Sequence, residues 1–331
     1  MNSSAELINI IKMFAKKRIA VIGDLMLDSY VYGAINRLNP ESAAPLITLT
    51  NENQDFRLGG AGNTAMNALA LGAKVDLYGV IGKDFRGRKI EKICKKTGIN
   101  LTKLYEGQTI EKKRLIEIAH GHYLMRVDSG ETNLRVISQE SEEFFIKNLT
   151  QKLNFYDGII LSDYNKRLFK GKFGQKIIDL SNLHRKITVV DPKPINAERF
   201  LKASLVRPNL SEAKEIVGKK DIPLVSLAKE LKKKMQSNSI VITLGSKGLV
   251  SYDNKFFHFP ANVREVSDVS GAGDTLGVTL LLSLISGANL VQSAKIANFA
   301  AGIVVEKQGT STLTTEELIN RIKFENITWK Q

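Results

Sequence analysis

The sequence predicts an α/β fold of three layers, helix on sheet on helix, with a mainly parallel central sheet and a small β-strand lid. Three observations predict it. From about residue 138, short β-rich runs alternate with helical patterns, the rhythm of a parallel sheet covered on both faces. The runs "GIILSD", "ITVVDPK" and "SIVITLG" are nearly continuously apolar, as strands buried on both sides are. Two further stretches, about 29–55 and 105–130, read as strands where a simple βαβ unit would supply a helix. Residues 1–331 are therefore expected to form one domain with a lid-like excursion.

Taken in order, "MNSSAELINIIKMFAKKR" predicts a short amphipathic helix and "RIAVIGD" a buried parallel strand. "SYVYGAINRLNPESAAPLITLT" follows as strands standing off the main sheet. "GGAGNTAMNALALGA" is a helix of small residues, "KVDLYGVIG" a strand, and "DFRGRKIEKICKKTG" a helix closed by Gly98. Residues 101–129 alternate like antiparallel strands and are expected to join the lid. A hairpin ("GLVSYD", "KFFHFP") precedes "GAGD" and two apolar helices.

Composition narrows the function. At 43% hydrophobic and 25% charged, the chain is ordinary globular material. Cys94 is the only cysteine, which excludes an internal disulfide and suits a reducing cytoplasm. The four histidines, His120, His122, His184 and His258, fall into no familiar zinc spacing. A net charge of +14 attracts anions, but the lysines are dispersed and carry no nucleic-acid signature. The N-terminal apolar run is broken by Lys12 and followed by basic residues, the reverse of a signal peptide. No membrane or nucleic-acid partner is expected.

The chemistry concentrates in "DVSGAGDT". Glycines let several N–H groups face one point, and a helix starting there adds partial positive charge. Gly271, Ala272 and Gly273 could thus cradle a phosphoryl group, with Asp274 accepting a proton from an attacking hydroxyl. A plain helix cap is the competing reading. No Walker A loop is present. Gly60 to Ala65 fits G-x-G-x-x-A, but it follows "NQDFRLG", a poor buried strand, so dinucleotide binding is disfavoured.

Together, "GGAGN" and "SDVSGAGDT" resemble the two signatures of the ribokinase-like (PfkB) sugar kinases, with "RPNLSEA", "VITLGSKG" and "ANFAAGIVV" in the family's order over nearly the whole chain. The resemblance implies a ribokinase-like three-layer sandwich, ATP and Mg²⁺ as cofactors, and a small-molecule sugar as acceptor. "GDLMLDSYVYG", "RLNPESAAPLI", "LSDYNK", "VDPKP" and "EKQGTSTL" narrow the likeness to the kinases of the ADP-heptose pathway. These phosphorylate the anomeric O1 of D-glycero-D-manno-heptose 7-phosphate, toward lipopolysaccharide core or surface glycan. Many are fused to an adenylyltransferase; "HGHY" lacks the H-x-G-H spacing of such a partner, so a stand-alone kinase is expected. Another sugar or nucleoside kinase, or a silent binding protein, are the alternatives.

The resemblance assigns roles position by position. Asp274 matches the catalytic base, and Gly271, Ala272 and Gly273 the anion hole. Asp24 matches the sugar-hydroxyl acceptor, and Gly59, Gly60 and Asn63 the sugar-contacting turn. Asn209 and Glu212, with Leu210 and Ser211 between them, match an N-x-x-E element that orients magnesium, with Glu212 acting through water. Thr243 and Gly245 match a strand end beside the ATP phosphates, and Asn298 the adenine pocket. Apart from the resemblance, Asp24 and Asn209 read equally as capping residues. Arg114, Arg126 and Lys193 could neutralise a sugar phosphate, or serve only the lid surface and carboxylate pairs. Asp128 shares a strand face with Arg126 and could hold it or a hydroxyl. "DSY", "DYNKR" and "GGAGN" stand where the family usually has "DRY", "DYGKG" and "GGAAN", which bears on the substrate more than on the reaction. Exposed lid edges suggest a homodimer paired lid to lid.

Overall fold

The computed structural model describes residues 4–41, 45–132, 134, 136–263 and 265–328. The chain opens with α1 (Ser4–Lys12), β1 (Arg18–Gly23), and two long strands, β2 (Leu25–Leu38) and β3 (Pro45–Gly60). Next come α2 (Ala61–Ala70), β4 (Lys74–Ile81), α3 (Phe85–Thr97), β5 (Asn100–Tyr105), β6 (Ile110–Glu117) and β7 (Tyr123–Ser129). The regular part follows: α4 (Gln139–Lys152), β8 (Gly158–Ser162), α5 (Phe173–Leu183), β9 (Ile187–Asp191), β10 (Leu205–Val206), α6 (Leu210–Val217) and α7 (Leu224–Met235). It ends with β11 (Ser239–Thr243), β12 (Leu249–Tyr252), β13 (Phe256–Phe259), α8 (Ala272–Ile285), α9 (Leu290–Val305) and α10 (Thr315–Thr328).

Nine strands form the central sheet in the order β13-β12-β11-β10-β9-β8-β1-β4-β5. All pairs from β5 to β11 are parallel; β12 and β13 add an antiparallel edge. Period-2 alternation splits the core in two. Ile19, Val21, Ile160 and Val189 face α1, α2, α3, α8, α9 and α10, whereas Ala20, Ile22, Leu161 and Val190 face α4, α5, α6 and α7. α8 is buried from Asp274 to Ser283, as a helix apolar on all sides must be.

The lid is a second sheet, β3-β2-β6-β7, in which β2 pairs antiparallel with β3 and parallel with β6. It covers both stretches expected to stand off; residues 42–44 of the first lie outside the described residues. One expectation is corrected. Residues 100–105 alternate like lid strands but pair parallel with β4, extending the central sheet instead. No helix among the described residues is long and apolar enough to cross a membrane.

Candidate active site

The turn that begins α8 lies between two cavities. Gly271 takes φ +81°, a conformation glycine adopts freely, and a β-carbon there would stand 2.8 Å from Asn63 Nδ2. Ala272 and Gly273 line a cavity of about 510 Å³ on one side. Gly271 and Asp274 line a pocket of about 180 Å³ on the other, beneath the lid. The Ala272 N–H donates to the Val269 carbonyl at 3.3 Å, while those of Gly271 and Gly273 have no partner among the described residues.

Asp274 is buried and held by three donors. Asn63 Nδ2 reaches one carboxylate oxygen at 2.7 Å; the Tyr164 hydroxyl, at 2.8 Å, and Thr64 Oγ1, at 3.1 Å, reach the other. Burial pushes its pKa above the usual carboxylate range, and Asn63, Tyr164, Arg207 and Thr64 pull it partly back. The Tyr164 phenol is pushed far up by burial and by the Asp274 charge, so it remains a donor.

Asp24 is not in this pocket. Its carboxylate accepts the backbone N–H groups of Tyr164, Lys166, Arg167 and Leu168 at 3.0–3.2 Å. It therefore ties down the loop that carries Tyr164. The pocket acid is Asp28, four residues on, which forms a buried 2.6 Å ion pair with Arg114. Gly59 makes room for it: a β-carbon there would meet Asp28 Oδ2 at 2.8 Å. Gly60 and Asn63 line the pocket.

The lid cations sort by strand face. Lys112 and Arg114 are two apart on β6 and both line the pocket. Lys112 has no ion-pair partner among the described residues, and its ammonium stands 5.6 Å from the centre of the Tyr164 ring. Burial lowers its pKa, with Asp28 opposing. Arg126 pairs in register with Arg114 and so shares this lid face, but it lies one strand further out and is neutralised by Asp128 at 2.8 Å. Asp128 thus holds the arginine. Lys193 is not in this pocket either: it pairs with Glu212 at 2.6 Å, near Asp191 and Arg207.

Asn209, Thr243, Gly245 and Asn298 all line the larger cavity. Asn209 and Glu212 form a reciprocal capping box on α6, with Leu210 and Ser211 as its first turn. Asn298 also donates to the Pro260 carbonyl at 2.7 Å.

Sequence reasoning passed over Asp28, Thr64, Lys112, Tyr164 and Arg207. Arg207 is buried, pairs with Asp191, and leaves its Nε without a partner among the described residues. A β-carbon on Gly273 would meet its guanidinium at 3.3 Å, so Arg207 lies directly against the turn. Burial raises Asp191 to about 6, against the pull of Arg207.

The pfkB family carbohydrate kinase profile matches residues 16–317. The bifunctional protein HldE of Sulfurimonas denitrificans is 35% identical over 93% of this chain, and that of Pasteurella multocida likewise. The chain spans 64–65% of these relatives' length. Among solved structures, phosphofructokinase-2 of Escherichia coli in complex with potassium superposes with a TM-score of 0.77 at 17% identity, covering 94% of this chain and 99% of that one. Arabidopsis thaliana ribokinase complexed with ribose and ATP gives 0.68 at 15%, covering 93% and 99%. The fold is ribokinase-like, and the chain belongs to the pfkB family of carbohydrate kinases.

Proposed function

We propose that the chain transfers the γ-phosphoryl group of ATP to the anomeric O1 of D-glycero-D-manno-heptose 7-phosphate, giving the 1,7-bisphosphate and ADP. The observation that carries this reading is the Gly271–Asp274 turn, with its glycine amides between two cavities and its acid on the lid side. The larger cavity suits the nucleotide, the smaller the acceptor. Asp274, held by Asn63, Thr64 and Tyr164, takes the proton as the sugar oxygen attacks. The Gly271 and Gly273 amides and Arg207 face the charge that builds on the transferred group.

Mg²⁺ fits the donor set near Glu212. Both Glu212 oxygens are engaged, by Lys193 and by the Asn209 N–H, so Asn209 and Glu212 would hold the ion through water, as magnesium prefers. Bound there, it would neutralise phosphate charge.

The substrate assignment rests on the HldE relatives and on the lid cations. Arg114 and Arg126 stand opposite each other across β6 and β7, an arrangement that repels unless acids or an anion intervene. Asp28 and Asp128 answer the two arginines, which leaves Lys112 for the sugar's phosphate. The test is ADP release with heptose 7-phosphate against the same sugar lacking the phosphate. Lys112→Met is expected to raise KM about 10–100-fold for the phosphorylated sugar, the worth of one charged hydrogen bond, with little change for the other. Equal KM increases for both would remove Lys112 from phosphate recognition.

A lid-to-lid homodimer is part of this proposal. Edge strand β7 exposes Met125 and Val127 on the face opposite the cations, and Tyr123 beyond a bulge at its start. Light scattering should give twice the chain mass; a monomer would exclude it. The proposed setting is the cytoplasm, where ATP and sugar phosphates meet.

A further inference from the structure

The β6–β7 hairpin carries chemistry that phosphoryl transfer does not use. Its tip reads Glu117-Ile118-Ala119-His120-Gly121-His122. Spacing alone assembles no familiar ligand set there, but the turn does. Gly121 takes φ +68°, which lets the chain reverse between the two histidines. Their rings stack, with centroids 5.4 Å apart and planes at 23°. The Glu117 carboxylate joins them: one ligand atom from each of the three residues lies within 4.8 Å of the others.

The carboxylate is already positioned. It accepts the N–H groups of Ala119 at 2.7 Å and His120 at 2.8 Å, and stands 3.1 Å from His120 Nδ1. The backbone is pinned on both sides. Glu117 N–H donates to the His122 carbonyl at 2.9 Å, and Ile118 N–H to the Gly33 carbonyl of β2 at 3.0 Å. The hairpin thus presents two imidazole nitrogens and one carboxylate oxygen on a fixed frame, and both histidines are exposed to solvent. Imidazole donors with open positions suit zinc and its first-row neighbours; magnesium favours an all-oxygen octahedron.

We propose that the lid-hairpin tip binds one divalent transition-metal ion of the Zn²⁺, Co²⁺ and Ni²⁺ class, with Glu117, His120 and His122 as ligands and water completing the shell. The ion would clamp the outer hairpin of the lid, beside its exposed edge strand. The site is independent of the nucleotide's magnesium, whose proposed holders, Asn209 and Glu212, lie at the start of α6.

The test uses the full chain, stripped of metal and free of nucleotide. Co²⁺ is titrated in and followed by visible d–d absorption, and Zn²⁺ by calorimetry. One equivalent is expected to bind at micromolar concentration. His120→Ala and His122→Ala should each weaken it at least about tenfold, since losing even an outer-shell partner costs a metal site that much. His184→Ala, which changes an isolated histidine at the end of α5, should bind as the wild type does. No saturable binding of either ion overturns the assignment. So does binding that survives both variants with less than about tenfold loss.

Discussion

Asp274→Asn should lose about 10²–10⁴-fold in kcat, the worth of a positioned base, with little change in either KM. Single-turnover ADP release checks this, and full turnover would refute the base assignment. Stability should move the other way. An acid whose folded pKa is raised opposes folding once pH exceeds its unfolded value, and the penalty disappears on acidification below that value. Asp274 is such a group. The variant's melting temperature at pH 8 should therefore be no lower than the wild type's, and any gain should shrink as pH falls through the ordinary carboxylate range. The same shift fixes the acid limb of kcat/KM above that range, because the base must be ionised to work.

Arg207→Met should be costly in both activity and stability. Removing the guanidinium strands Asp191 beside Glu212, and breaking a buried pair from one side costs about 3–5 kcal/mol. It also removes a positive charge that favours ionised Asp274, so the acid limb should shift to higher pH. Losing a donor that faces the transferred group should lower kcat by about 10²-fold. Denaturant melts and a pH profile separate these effects. Arg207→Lys keeps the charge and should restore the position of the limb before it restores the rate. A profile unmoved in Arg207→Met would confine the residue to a structural role.

The layered sheet was legible because its strands are apolar on both faces and its helices carry clear end signals, such as Gly98 closing α3 and Asn209 capping the start of α6. Membership of a sheet was less so. Residues 100–105 alternate, and alternation marks a strand without choosing its partner; contact with β4 decided it. The pocket acid was missed because Asp24 is spent on four loop N–H groups, which no local pattern announces. Asp24 follows β1 at the crest where ligands usually bind, yet Met26 and Asp28 of β2 are the residues that line the pocket. Lys112 had a readable sign, standing two residues before Arg114 on one strand. Tyr164 and Arg207 had none. Each reaches Asp274 from a loop or strand end far away in sequence, and only the folded sheet brings "SDYN" and "VRPN" to the start of α8.

Asp24 has a consequence beyond its own loop. Four backbone N–H groups converging on one point would ordinarily be a receptor for phosphate or another anion. Here the receptor is filled from within by a carboxylate covalently part of the chain. An incoming polyphosphate therefore meets no competing cradle at the crest of β1, and the glycine turn ahead of α8 keeps its open amides for it. Asp24→Ala should thus do more than loosen a loop: it would expose a second, misplaced anion trap beside the first.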